Sequence, residues 1–248
     1  MRISIIPIRV EKDVNLNDDI AELILSSIRR QKERLCENDI LVIAHKIVSK
    51  AEGRLVSLNN VRPSRRAYSI SAKHGKDPKI VELILRELKR VVKIKRGIIV
   101  VETKHGFICA NAGVDQSNIK SNFVSLLPLN PDRSAAKIRI KIKKRIGKAI
   151  AVIITDTFGR PFREGQVNVA IGISGLKPIT DYRGLRDTFG KELKVTKIAA
   201  ADEIAGAAEL AMGKLDRTPV AIIRGFKYKN KKGSAKQLLR ERRDDIFR

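Results

Sequence analysis

The 248-residue sequence contains no tryptophan, few other aromatic residues and only two cysteines. Aromatic residues make up 4% of the chain, which leaves little to stack on the bases of a nucleic acid. Cys36 and Cys109 are far apart and match no zinc or redox spacing, which favours two buried thiols over a disulfide. Zinc-ribbon and dithiol chemistry therefore have no support.

Long apolar runs are also missing. No stretch approaches the roughly 18 consecutive apolar residues of a membrane-spanning helix. The N-terminal residues 1–7 are typical of a strand and not of a signal peptide. We therefore expect a cytoplasmic protein without a membrane partner.

Acidic residues are few relative to basic ones. The chain has 52 Lys and Arg against 27 Asp and Glu, a formal net charge of +25. Such an excess attracts polyanions, so a phosphate-rich substrate or a nucleic acid would fit. The basic residues are spread along the whole chain, so we interpret most of them as a solvated surface and regard a nucleic-acid partner as the weaker interpretation.

The chain has enough hydrophobic residues, 43%, for one large domain or two smaller ones. No linker rich in proline and serine and no repeat interrupts it, so residues 1–248 are treated as one functional unit. Strand-like and helix-like patterns alternate, which favours an α+β or mixed α/β fold.

Hydrophobic spacing and capping residues predict the individual elements. In the first half they predict strands over 3–8 and 39–44, a helix after Asp19, a helix from Pro78 that includes Leu88 and Val91, and a hairpin of 97–101 with 107–110. In the second half they predict strands over 149–155, 167–173 and 219–223, a helix over 200–212 and a last helix capped by Ser234. The segment 134–147 alternates like a strand as well, but Ser134 and Gly147 at its ends favour a helix.

The common nucleotide-binding and hydrolytic motifs are absent. Residues 184–192 come nearest to a P-loop, but five residues separate the glycines, and Glu192 stands where Ser or Thr must reach the magnesium ion. No G-x-G-x-x-G follows a strand, and no H-E-x-x-H, G-x-S-x-G or C-x-x-C is present. Any nucleotide site must therefore be built in another way.

Three polar clusters interrupt otherwise apolar strands, over residues 49–54, 111–118 and 155–163. Each combines oxygen or cationic side chains with a small residue. Asp and Thr oxygens are preferred by Mg²⁺ and Mn²⁺, and Lys, Arg and backbone amides beside glycine are preferred by phosphates. Together they suggest a metal and phosphate site, although each cluster on its own is also typical of polar turns at strand ends.

At these residues the sequence resembles the coenzyme F-420:L-glutamate ligase family. The segments that carry the resemblance are 49–54, 110–115, 117–118 and 154–157, and it continues through 170–175, 201–205, 212–213 and 223–225. The resemblance implies a two-part α+β fold and an intertwined homodimer. Some relatives carry a C-terminal flavin-type domain, which this chain is too short to contain.

The resemblance also implies a reaction. Members of the family add L-glutamate to the carboxylate of the coenzyme F-420 precursor, with GTP converted to GDP and phosphate through an acyl phosphate, and some add a further γ-linked glutamate. Two divalent ions, Mg²⁺ or Mn²⁺, and in addition K⁺, are the expected cofactors.

The site residues follow from the resemblance in the same way. It implies that Asp115 and Asp156 hold one metal ion and that Thr157 helps to hold a second. The residues expected to contact GTP are Arg9, Val10, Glu11, Lys12, His45, Lys46, Lys50, Asn118, Met212, Gly213 and Lys214. We add Arg160 as a catalytic anion contact, with Arg163 and Arg224 as further anion contacts.

The sequence departs from the family pattern at two places. Lys214 stands where some members have an acidic residue linked to the second metal ion, and a charged lysine cannot ligate a metal. Asp216 or a backbone oxygen could take over that role, or the second ion is held more weakly. The turn 9–12 lacks the glycine of some relatives. Two other functions stay open: a basic nucleic-acid-binding protein on a ligase scaffold, and a ligase of the same mechanism with another acid or amino acid.

Overall fold

The structure is a computed structural model that describes residues 2–245, and within them it contains six α-helices and twelve strands. The helices are α1 (Ile20–Arg30), α2 (His45–Ala51), α3 (Arg65–His74), α4 (Pro78–Glu87), α5 (Pro131–Ile146) and α6 (Ala200–Met212). The strands are β1 (Ser4–Ile8), β2 (Ile40–Ala44), β3 (Leu55–Ser57), β4 (Leu88–Lys95), β5 (Ile98–Thr103), β6 (Ile108–Ala110), β7 (Phe123–Ser125), β8 (Ala151–Arg160), β9 (Arg163–Ser174), β10 (Thr180–Asp181), β11 (Lys197–Ile198) and β12 (Val220–Arg224). This is the mixed α and β architecture that the alternating sequence pattern predicts.

A five-stranded mixed sheet forms the centre, in the order β1-β12-β2-β8-β9. Only β2 and β8 run parallel within it, and the other neighbours are antiparallel. All five residues from Ala151 to Thr155 in β8 are buried. Because successive side chains in a strand point to opposite faces, both faces of the sheet are covered at this strand. The carboxyl end of β2 therefore lies beside Thr155, where the fully buried part of β8 ends.

Helices α5 and α6 pack against the central sheet, and each end of α5 is fixed by its sequence. Asn130 caps the first turn by accepting from the Arg133 amide, and Pro131 occupies the first helical position. Gly147 ends the helix in the left-handed conformation, at φ 68°. The fit against the sheet is close, because a Cβ on Gly172 of β9 would lie 2.5 Å from the Pro131 carbonyl group.

A second part of the fold is built from the segment between β2 and α5. It holds the pair β3-β7 and the three-stranded sheet β4-β5-β6, with α3 packed against α4. Its buried side chains form two clusters distinct from the main core, one around Val81, Ile84 and Val101 and one around Leu58 and Leu83. The central sheet and this second part together supply the walls of the site described below.

Most predicted elements are confirmed. Asp19 caps α1 through the amides of Ala21 and Glu22, the predicted hairpin is β5 with β6, and the strand predicted over 219–223 is β12. The ambiguous segment 134–147 is helical, and α6 spans Ala200–Met212 with Gly213 as its C-cap. Cys36 and Cys109 are free thiols; Cys109 is buried, whereas Cys36 is only half-buried.

The prediction of one helix from Pro78 through Val91 is wrong. Helix α4 ends at Glu87, and Leu88 has extended backbone angles, φ −85° and ψ 155°. The chain continues as β4, which pairs with β5 through Val91 opposite Val101. The helical spacing of Ile80, Ile84 and Leu88 continues past the true helix end because the apolar face of the strand begins in phase with it. Cross-strand pairing of β-branched side chains then favours the strand.

Five other elements differ from the predictions. Strand β8 continues through 156–160, so its polar residues lie in a strand and not beyond its end, and β9 begins at Arg163. The polar stretch after β2 is helix α2, and α5 begins at Pro131 with Asn130, not Ser134, as its cap. Ser234 forms the predicted capping box with Gln237, but it caps one 3-10 turn, Ala235–Leu238. None of the helices in residues 2–245 has the length and apolar character needed to cross a bilayer.

Candidate active site

A cavity of about 680 Å³ lies where the central sheet meets the second part of the fold. Its wall is formed by the start of α2, the loop 109–119, the polar half of β8 and the loop that follows α6. Segments that are more than a hundred residues apart in the sequence thus meet around one space. All three polar clusters recognised in the sequence contribute to it: Lys50 from the first, Asp115 from the second and Asp156 from the third.

The parallel pairing of β2 with β8 brings His45 and Asp156 together. Ala44 pairs with Thr155, so the next residue of each strand emerges at the same edge of the sheet. His45 is buried, and its Nε2 lies 3.3 Å from Asp156 Oδ1. The His45 Nδ1 atom lies 3.2 Å from the Ser49 hydroxyl, whereas Nε2 has no hydrogen-bond partner with good geometry among the described atoms. The imidazole is therefore held at one nitrogen and faces Asp156 with the other.

A β-bulge lies between the part of β8 whose side chains fill the core and the part whose side chains line the cavity. Ile154 pairs with Gly172 and Thr155 with Ala170, which leaves Ile171 of β9 as the extra residue. Bulges bend a strand and redirect its side chains, and they are common beside active sites. Thr155 remains in the core, where its hydroxyl donates to the Val169 carbonyl, and the side chains beyond it line the cavity.

Asp115 is held by three hydrogen-bond donors, one from Lys46 and two from Ser117. Lys46 Nζ lies 2.7 Å from Asp115 Oδ2, and the Ser117 amide and hydroxyl donate to the two carboxylate oxygens at 2.8 and 2.9 Å. Burial on its own would raise the pKa of Asp115, but these hydrogen bonds outweigh it and hold the pKa below its usual 3.8. Asp115 is therefore a carboxylate over the whole physiological pH range.

The turn before Asp115 has an unusual backbone. Asn111, Ala112 and Gly113 all have φ between 53° and 70°, a region that costs free energy for residues with a side chain. Ala112 is buried in the core cluster around Val81, and a Cβ at Gly113 would lie 2.7 Å from Leu127. Packing thus fixes this turn, and the turn directs Asp115 into the cavity.

Four side chains form a closed hydrogen-bonded ring on the other wall. Lys214 Nζ donates to Thr157 Oγ1 at 2.8 Å and lies 2.8 Å from Glu209 Oε1. The Thr157 hydroxyl donates to Asn168 Oδ1 at 2.7 Å, and the Asn168 amide donates to Glu209 Oε2 at 2.6 Å. Asn118 donates to the Lys214 carbonyl and so ties the loop after α6 to the loop 111–118.

The structure brings most of the predicted site residues to this cavity. Those that line it are Val10, Lys12, His45, Lys46, Lys50, Asp115, Asn118, Asp156, Thr157, Met212, Gly213 and Lys214. Arg9 and Glu11 do not line it: the Arg9 backbone bonds to the side chain of Gln31, and Glu11 pairs with Arg30. Asp216, the suggested replacement ligand, does not line it either.

The three arginines expected to contact anions are placed elsewhere. Arg160 lies at the tip of the β8-β9 hairpin, where its guanidinium donates to the Glu164 and Gly165 carbonyls, and Arg163 is exposed at the same tip. Arg224 forms a two-pronged ion pair with the buried Asp39, at 3.0 and 2.8 Å. The position of Arg224 at a strand end suggested an anion contact. In the structure the Asp39 carboxylate neutralises the Arg224 guanidinium and raises the pKa of Arg224. The roles predicted for Arg160, Arg163 and Arg224 therefore lack structural support.

Sequence reasoning missed Asn168, Glu209 and Cys109, all of which line the cavity. Asn168 is a polar residue inside the apolar run 167–173, and Glu209 interrupts an alanine-rich helix, so both left a detectable signal. Burial, with a smaller contribution from the nearby Asp156 carboxylate, raises the pKa of Cys109 to about 12. Cys109 is therefore a neutral thiol and not a nucleophile.

The cavity offers hard oxygen donors that fit a magnesium or manganese ion. They are the carboxylates of Asp115 and Asp156, the Thr157 hydroxyl and the oxygens of Asn168 and Glu209. Across residues 2–245, however, no group of three or more His, Cys, Asp or Glu side chains is arranged to enclose a metal. An ion bound here would thus share its coordination with water or with ligand oxygens, as is usual for magnesium.

Comparison with known proteins identifies the family of this chain. The sequence profile of the family described as F420-0:Gamma-glutamyl ligase matches residues 8–225. The chain belongs to this family. Relatives named coenzyme F420:L-glutamate ligase share 47% identity in Methanothermobacter thermautotrophicus (all of both chains), 46% in Methanopyrus kandleri (98% of this chain, 96% of the relative) and 47% in Methanocaldococcus jannaschii (86% and 85%).

Membership of the gamma-glutamyl ligase family covers the whole site. The cavity-lining residues run from Val10 to Pro219 and therefore lie entirely within the matched segment. The family resemblance noted in the sequence is thus confirmed, and the protein is a ligase of this family. The segment after residue 225 lies outside the match, although Ser234 packs back onto the core by donating to Asp132.

Proposed function

We propose that this protein joins L-glutamate to the terminal carboxylate of the coenzyme F-420 precursor, F-420-0, with GTP as the energy source. The observation that carries the proposal is one cavity lined by three aspartates and several cationic side chains. The aspartates are Asp13, Asp115 and Asp156, and the lysines are Lys12, Lys46, Lys50 and Lys214. A polyphosphate needs cations, and a metal ion needs carboxylates, so this wall suits a metal-bound nucleotide.

The reaction requires activation because a carboxylate resists attack by an amine. In the proposed sequence a carboxylate oxygen of the precursor attacks the γ-phosphorus of GTP, the bond to the β-phosphate oxygen breaks, and GDP leaves. The glutamate amine then attacks the acyl carbon, the bond to the phosphate oxygen breaks, and inorganic phosphate and one proton are released. The enzyme's tasks are to position the reactants and to neutralise charge.

The residues divide these tasks. Lys46 and Lys50 of α2, with Lys12, would face the phosphates, and Asn118 would position the nucleotide from the facing loop. Asp115 and Asp156 would hold Mg²⁺ or Mn²⁺, which would neutralise phosphate oxygens when bound. The His45 imidazole, fixed by Ser49, would orient the Asp156 carboxylate.

The direct test is a reaction mixture of purified protein, F-420-0, L-glutamate, GTP, Mn²⁺ and K⁺, followed by mass spectrometry. We expect a product heavier by one glutamyl unit, GDP formed in equal amount, and a second unit if a γ-linked tail is extended. GTP hydrolysis without a heavier product would contradict the proposal. If the product formed equally fast with other amino acids, the proposed specificity for glutamate would be wrong. If it formed equally fast with ATP, the proposed specificity for GTP would be wrong.

We also propose that the protein is a homodimer, as the family resemblance implies. Large apolar side chains are exposed at the β8-β9 hairpin tip, on the excursion 182–196 and after α6, namely Phe162, Phe189, Val195 and Leu215. Exposed apolar groups of this kind favour association with another surface. Sedimentation equilibrium should give twice the chain mass of 27.7 kDa, and a monomer at micromolar concentration would contradict this part of the proposal.

A further inference from the structure

The ammonium group of Lys214 occupies a position in the cavity wall that is surrounded by oxygen atoms. The group reaches two oxygens of the cavity wall, Thr157 Oγ1 and Glu209 Oε1, each at 2.8 Å. The loop that carries it is fixed by Gly213, which ends α6, and by the bond from Asn118 to the Lys214 carbonyl. The side chain is half exposed and so remains accessible from the cavity.

The ring of hydrogen bonds has only one consistent direction, and that direction leaves two acceptors, one of them a carboxylate, at the Lys214 corner. Glu209 can only accept, so the Asn168 amide must donate to it. The Asn168 oxygen then accepts the Thr157 proton, which leaves a lone pair of Thr157 Oγ1 pointing at Lys214. The corner between Thr157 and Glu209 thus presents a hydroxyl lone pair and a carboxylate, the ligands that a hard cation prefers.

In this chain the corner is already filled by a covalently attached cation. A divalent ion that used Thr157 and Glu209 would have to displace the ammonium group and then tolerate its charge nearby. Asp115 and Asp156 are outside this ring: Asp115 is bonded to Lys46 and Ser117, and Asp156 lies beside His45. An ion bound between the two aspartates would use Asp156 Oδ2, which has no hydrogen-bond partner among the described residues, and would displace Lys46 from Asp115. At the other corner Lys214 already contacts both oxygens, Thr157 Oγ1 and Glu209 Oε1.

We propose that Lys214 replaces a second divalent ion, so that the cavity binds one divalent ion, at Asp115 and Asp156, and Lys214 supplies the other positive charge toward the phosphates of GTP. The part that concerns GTP rests on the proposed function. The number of ions does not, because it depends on the oxygens that Lys214 occupies and not on the substrate. This inference replaces the expectation of two divalent ions.

The test counts Mn²⁺ bound to the protein without nucleotide or substrate, by electron paramagnetic resonance and by isothermal titration. We expect one ion per chain in the wild type and two in Lys214→Glu, because the new carboxylate joins Glu209 and Thr157 in a vacant oxygen site. Lys227→Glu makes the same charge change on an exposed residue outside the cavity and should still bind one. A wild-type count of zero or two would overturn the proposal.

A second variant tests the proposal if Lys214→Glu does not fold. Lys214→Gln removes the charge, keeps most of the length and leaves an amide oxygen, so it should also bind a second Mn²⁺ ion. Thermal melting with EDTA and with Mn²⁺ provides an independent readout, since Mn²⁺ should raise the melting temperature of both variants more than that of the wild type. A count of one ion in every folded variant would overturn the proposal. Because no turnover is measured, this result is separate from the outcome of the ligase assay.

Discussion

His45 Nε2 lies 3.3 Å from Asp156 Oδ1, and the imidazole is 3% exposed whereas the carboxylate keeps 12% of its surface exposed. The Thr157 amide donates to the same carboxylate oxygen at 2.7 Å. The second oxygen of Asp156 is therefore the one left for a ligand in the cavity. Asp156 is thus held in position from two sides while it keeps one oxygen for chemistry.

Asp156→Asn is predicted to abolish turnover while the fold is retained. The amide has the volume of the carboxylate and can still accept from Thr157, but the charge is lost, and the rate should fall by about a hundredfold or more. The ligase assay and thermal melting measure the two effects. Asp181→Asn removes a carboxylate from an exposed ion pair and should leave both unchanged. A large drop in melting temperature for Asp156→Asn would instead identify Asp156 as a structural residue.

Lys46→Met is predicted to raise the pKa of Asp115. Burial already favours the protonated form, and removing the Lys46 hydrogen bond leaves only the bonds from Ser117 to oppose it. A carboxyl group whose pKa is lowered by folding stabilises the fold above its unfolded pKa of 3.8, and this contribution is lost as the pH falls through the lower folded value. In Lys46→Met the folded value should rise toward 3.8, so this window narrows and the contribution of Asp115 to stability becomes smaller.

The ¹³C chemical shift of the Asp115 carboxyl group, assigned with Asp115→Asn, gives the titration midpoint directly. The midpoint should lie below 3.8 in the wild type and higher in Lys46→Met. Lys73→Met, which removes an exposed lysine of α3, serves as the control and should not change it. Equal midpoints in all three proteins would show that Lys46 does not hold Asp115 in solution.

Arg224→Met is predicted to destabilise the protein without impairing its chemistry. The substitution leaves the Asp39 carboxylate, which is 1% exposed, without its charge partner, and unfolding by urea should show a loss of about 3 kcal/mol. Arg183→Met breaks the exposed pair with Asp181 and should change stability little. If Arg224→Met lost GTP binding while its stability stayed unchanged, Arg224 would instead be a nucleotide-binding residue.

The sequence was sufficient to predict most of the fold because its signals were local. Asp19, Gly147 and Gly213 end or begin helices through their own backbone or side chains, and each was recognised. The change from α4 to β4 could not be recognised, because the apolar spacing passes through Leu88 unbroken and the strand depends on its pairing with β5. Pairing partners are distant in the sequence, and one chain does not reveal them.

In the site, too, residues within short motifs could be predicted, whereas residues whose role depends on a distant partner could not. Asp115, Asp156 and Lys50 were predicted from short motifs, and the fold brings them to one cavity. Arg224 was misassigned because its partner, Asp39, lies 185 residues away in the sequence. The role of Lys214 depends on Glu209 and Asn168, which belong to α6 and β9, so only the folded chain reveals the ring.

The register between β2 and β8 affects how a preparation of the enzyme should be tested for correct folding. A slip of one residue would turn Asp156 from the cavity into the opposite face and bring a threonine into its place. A molecule with nearly correct secondary structure but shifted pairing would thus be catalytically silent. Specific activity should therefore report correctly paired molecules more faithfully than circular dichroism does, and the two measurements should diverge in partly refolded samples.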